Sequence, residues 1–100
     1  MPKPRKPRGL NASGTRLWER IVATYDLEES PEKLAILEHA CRTADDLARF
    51  ERGMKGAPLT VKGSAGQACI NPIQSEIRFS RGLLAQLLAR LNFEGAIEDA

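Results

Sequence analysis

Apolar residues recur along most of this chain at the three- and four-residue steps of an α-helix, and one short stretch in the second half switches to strict alternation. Leu17, Trp18, Ile21, Val22 and Tyr25 form the first stripe. It predicts a helix from about Gly14 to Tyr25, with Ser13 as its N-cap. A second helix starts cleanly: Ser30 suits the N-cap, Pro31 suits the first helical position, and Glu28, Glu29 and Glu32 favour the positive end of the helix dipole. Its stripe runs through Leu34, Leu37, Cys41, Ala44, Leu47 or Ala48 and Met54, until Gly53 and Gly56 break the pattern. Residues 31–53 then span roughly 34 Å at 1.5 Å per residue. A third helix opens on Asn71 as cap and Pro72, with Gln74 at the third position, and carries Ile73, Ile77, Ser80, Leu84, Leu87, Leu88 and Leu91.

Between the two long helical patterns, Leu59 and Val61 alternate with Thr60 and Lys62, and Ala68 and Ile70 alternate with Gln67 and Cys69. Gly63, Ser64, Ala65 and Gly66 fit a four-residue turn, so the segment reads as a small β-hairpin. An isolated two-stranded ribbon is marginal in water, so it must pack on the helices or on ribbons of neighbouring subunits. The predicted fold is mainly α: a short N-terminal helix and two long antiparallel helices joined by the hairpin. Apolar flanks beyond the main stripes, at Leu83 and Leu87 on the third helix and at Ile36 and Phe50 on the second, point to a subunit interface. The candidate interface residues are Phe50, Ile77, Leu84, Leu87 and Leu88.

With 100 residues, 42% apolar and 28% charged, the chain has the composition of one ordinary globular domain. No apolar stretch approaches the roughly 18 residues of a membrane span, and no apolar core follows the charged N-terminus, so a cytoplasmic protein is expected. The net charge of +2 hides an asymmetry, because Lys3, Arg5, Lys6, Arg8 and Arg16 occur among the first sixteen residues without an acid. Pro2, Pro4 and Pro7 alternate with these cations and disfavour helix. Residues 1–12 therefore read as a basic, flexible arm, 13–93 as the helical body and 94–100 as a tail. The arm suits a polyanion, and its four cations, Lys3, Arg5, Lys6 and Arg8, together with Arg16 at the entry to the first helix, are the candidate phosphate contacts.

Candidate chemistry is sparse. Cys41 and Cys69 are too few for a disulfide scaffold and read as reduced thiols. His39, the sole histidine, lies two positions from Cys41 and so points to nearly the opposite side of the helix, which leaves no metal ligand pair. Gly63 and Gly66 lack the Gly-Lys-Ser/Thr of a nucleotide-binding loop. Asp45 and Asp46, beside Arg42 and Arg49, read as surface charges in helical pairs. No nucleophile has a base at a meaningful spacing, so neither catalysis nor a cofactor is expected.

Four segments, taken in order, resemble the P27 family of phage terminase small subunits: Leu17 to Val22, Leu37 to Asp45, Leu59 to Gln67, and Asn71-Pro72. The run Leu-Thr-Val-Lys-Gly-Ser-Ala-Gly followed by Asn-Pro is the most distinctive part, and the resemblance covers about residues 9–93. It implies a non-enzymatic protein of the host cytoplasm that forms a ring of about eight to ten subunits, closed by cyclic symmetry. It also implies two partners: double-stranded viral DNA, and the terminase large subunit that holds the ATPase and nuclease. The sequence lacks a convincing recognition helix. A small dimeric helical DNA-binding regulator is the alternative reading, and a structural adaptor with a solubilising tail is a third.

Overall fold

The computed structural model of the chain describes residues 4–91. It is mainly helical, with α1 over Ala12–Thr24, α2 over Pro31–Met54 and α3 over Pro72–Arg90, and with β1 (Thr60–Lys62) and β2 (Ala68–Ile70) between the long helices. Helices α2 and α3 lie antiparallel. Gly53, near the end of α2, faces Ile73 in the first turn of α3, and Leu91, just past α3, packs with Leu37 and Cys41 of α2. The ion pair between Arg81 and Glu51, at 2.9 Å, ties the same two helices at the surface.

The core sits where α1, the α1–α2 connection and the end of α3 meet α2. Trp18, Leu27, Leu37, Cys41 and Leu91 are buried there, with Leu10, Leu17, Ile21, Val22, Tyr25, Leu34, Ile36 and Leu88 packed around them. Burying one such leucine contributes about 1.5–3 kcal/mol. Pro31 opens α2 as its pattern requires, yet the Ser30 hydroxyl makes no capping hydrogen bond. Asn71 does cap α3: its side-chain oxygen accepts from the Ile73 amide at 3.1 Å. The N-cap of α1 is Asn11 rather than Ser13, and its own side chain caps nothing.

Gly63 to Gly66 form the expected four-residue turn, closed by the Gly66 amide donating to the Gly63 carbonyl at 3.0 Å, and Gly63 is also the last paired residue of the ribbon. Gly63 donates to the Gln67 carbonyl, so the loop is Ser64-Ala65-Gly66, with Gly66 at φ 86°, as three-residue hairpins require of the residue that closes the turn. The register pairs Thr60 with Ile70, Val61 with Cys69 and Lys62 with Ala68. A slip of one residue moves a strand's side chains to the other face. Accordingly Val61 shares a half-buried face with Cys69, while Ile70 stands opposite Thr60 in solvent.

Candidate nucleic-acid interface

Residues 4–10 have no regular secondary structure, but they show a period. Pro4, Pro7 and Leu10 are half-buried, whereas Arg5, Lys6, Arg8 and Gly9 are exposed. The chain turns at Arg8 and Gly9, with Gly9 at φ 85°. One edge of the segment rests on the body, with Leu10 joining the core cluster, and the other edge presents the cations to solvent. Lys3 lies outside the described residues.

Where the segment enters α1, it meets a buried carboxylate. Asp45, on α2 and only 9% exposed, accepts the Asn11 amide at 2.8 Å on Oδ2 and the Gly14 amide at 2.7 Å on Oδ1. These are the N-cap and third helical N–H groups of α1, which have no partner within a helix. In a capping box two side chains of the same segment satisfy them. Here one carboxylate from another helix serves both, and its charge faces the positive end of the α1 dipole. Asp45 is therefore not the surface charge expected from its spacing to Arg42 and Arg49. Asp46 does pair with Arg49 at 3.2 Å, whereas Arg42 is held by Glu38 at 3.0 Å and also donates from Nη2 to the Arg8 carbonyl at 3.2 Å.

Close approach of α1 to α2 makes the Asp45 contact possible. Gly14 is buried, and a Cβ there would stand 2.6 Å from both Asp45 Oδ2 and the Cys41 carbonyl oxygen. Cys41 lies beneath this crossing, and its thiol is pushed up from 9.0 to about 12 by burial first and by the negative charge of Asp45 second, with Arg42 acting the other way. A thiol so shifted stays protonated and inert at neutral pH.

The other expected cation, Arg16, is exposed on α1, and Arg20 one turn further on is exposed as well. Sequence reasoning passed over Arg20 because it belonged to no basic run. The residues expected at a subunit interface differ in exposure within the protomer. Ile77 and Leu87 are buried inside the protomer, 6% and 5% exposed, and Leu88 is half-buried against the core cluster. Leu84 is half-buried, and Phe50 is half-buried under the Arg49 guanidinium, 5.4 Å from the ring centroid. Among the described residues, the large apolar side chains that do face solvent are Leu59 (66%), Ile70 (60%) and Phe79 (67%). Phe79 falls between the stripe positions of α3, and that offset was its sequence signal. It borders an open depression of about 290 Å³ lined by Arg78, Phe79, Gly82, Leu83 and Gln86, which contains no acid or nucleophile.

Among the described residues no group of three or more His, Cys, Asp or Glu side chains is placed to hold a metal ion, and no helix is long and apolar enough to cross a membrane. Comparison with protein-family models, curated proteins and solved structures finds no match to the chain.

Proposed function

We propose that this protein is a non-catalytic, DNA-binding small subunit of a phage terminase, which assembles into a ring, engages viral DNA and recruits or regulates the large subunit during genome packaging. The observation that carries this reading is the ribbon-to-helix corner. The stretch most distinctive in its resemblance, Leu59 to Gly66 with Asn71-Pro72, forms a ribbon whose Leu59 and Ile70 are 66% and 60% exposed. Such a ribbon gains stability by packing on another surface, and neighbouring subunits of a ring supply one. The exposed cations Arg5, Lys6, Arg8 and Arg16 add a surface suited to phosphates.

Light scattering on a sizing column at moderate salt, with and without duplex DNA, tests the reading. A species of about eight to ten subunits that binds duplex with a steep salt dependence is expected. A two-fold dimer bound to a defined site shifts the assignment to a transcriptional regulator. A monomer that neither assembles on DNA nor binds it overturns the reading.

A further inference from the structure

The cationic segment and the start of α1 that follows it are tied to α2 at three backbone points within seven residues. The Arg8 carbonyl accepts from Arg42, and the Asn11 and Gly14 amides donate to Asp45. Arg42 is itself steadied by Glu38, which accepts from Nε at 3.1 Å and from Nη2 at 3.0 Å. Gly14 leaves no room for a side chain at the contact, so α1 packs closely on α2. Pro4 and Pro7 stiffen what remains and are half-buried.

We propose that Arg5, Lys6 and Arg8 form a pre-ordered phosphate-binding ridge for duplex DNA, clamped to α2 by the Asp45 carboxylate, rather than a tail that acquires its order on binding. The inference rests on the DNA-binding reading above and specifies how that surface is built. A ridge fixed beforehand does not lose chain freedom when it meets phosphates, so the same charges bind more tightly. Asp45 is a positioning residue: it lies behind the segment, and its negative charge taken alone opposes DNA.

That opposition of signs gives the test. In Asp45→Asn the amide keeps one acceptor oxygen, turns an N–H₂ group toward the other backbone N–H, and removes one negative charge. Simple electrostatics then predicts tighter DNA binding, whereas loss of the clamp predicts weaker binding. The first readout uses the full chain without DNA: trypsin cleavage after Arg5 and Arg8, the Lys6-Pro7 bond being resistant, with hydrogen exchange at the Gly14 amide. Release of the segment about ten-fold faster in Asp45→Asn, with helix content kept, is expected. Equal cleavage and exchange in variant and parent overturn the clamp. Should Asp45→Asn fail to fold, Arg42→Gln tests the exposed half of the same contact, with cleavage about three-fold faster expected and an unchanged rate counting against the clamp.

The second readout is duplex affinity across a salt series. Asp45→Asn is expected to weaken binding about ten-fold while keeping the parent's salt slope, because the cations remain. Joint replacement of Arg5, Lys6 and Arg8 by Gln flattens the slope by about 0.9 per lost phosphate contact. A loosened segment with undiminished affinity overturns pre-ordering. A parent chain that binds no duplex overturns the packaging reading, and the cleavage result then decides the clamp alone.

Discussion

At Gly14 an added methyl group would collide with two oxygens, one of them the Cys41 backbone carbonyl, which cannot rotate away. Alanine ordinarily favours a helix over glycine by about 1 kcal/mol, but crowding of this kind costs about 1–3 kcal/mol. The second effect wins. Gly14→Ala should lower the midpoint of chemical unfolding, whereas Gly82→Ala, in the interior of α3 with nothing within 4 Å of its Cβ, should raise stability by about 0.5–1 kcal/mol. If both shifted the midpoint the same way, the close crossing of α1 and α2 would be in error. Cys41 gives a second residue-scale expectation. Its thiol titrates at about 12 in the fold against 9.0 as the ordinary value, so the fold favours the protonated form. The stability linked to this group is fully present below pH 9 and is lost as pH rises toward 12. Melting temperatures of the parent should therefore fall across that range more steeply than those of Cys41→Ala. In the native chain a thiol reagent at pH 8 should label half-buried Cys69 and spare Cys41 until the protein is unfolded.

At the scale of elements, Asn71 fastens the ribbon to α3. Its side-chain oxygen caps the Ile73 amide, its Nδ2 donates to the Pro58 carbonyl at 3.0 Å, and its backbone amide donates to the Leu59 carbonyl at 2.8 Å. Asn71→Ala removes the cap and leaves the Pro58 carbonyl without that donor, at a cost of about 1–3 kcal/mol. Asn71→Asp keeps the cap but turns an acceptor toward that carbonyl, so it should rescue α3 while the ribbon loosens; amide exchange resolved by residue separates the two. The Asn71-Pro72 signal was legible because capping depends on neighbours in sequence. The order and kinds of elements were legible for the same reason, since helical stripes and turn residues are local properties. What was not legible depends on geometry between segments. Gly63 both opens the turn and pairs with Gln67, and the register that follows sets Ile70 opposite Thr60 in solvent. Asp45 shows the same limit: arithmetic along α2 pairs it with Arg42 and Arg49, and only the arrival of α1 buries it. The retrospective signal is modest, an acid one turn after Cys41 on an apolar stripe, matched by a glycine in the first turn of the preceding helix.

For the whole molecule, the extents of 58 × 26 × 19 Å and a radius of gyration of 17.2 Å exceed the roughly 13 Å of a compact chain of this length. An elongated small domain buries less of its surface than a round one, and the deficit is visible where Leu59, Ile70 and Phe79 stand in solvent. These side chains lie on the ribbon and on the outer part of α3, away from the core that α1 completes. Folding of the protomer and assembly should therefore be separable by substitution. Leu87, buried in the protomer, belongs to the first: Leu87→Asp places a charge at a buried apolar position and should abolish cooperative unfolding and most helix content. Leu59→Ser with Ile70→Ser belongs to the second. This double variant should keep its circular dichroism and unfolding midpoint as a protomer, yet show a lower mass by light scattering than the parent. If the double variant retained the parent's mass, the ribbon would not be a subunit contact, and Phe79→Ser would become the next substitution to measure. If it unfolded instead, the ribbon would prove integral to the protomer, and assembly would have to use another surface.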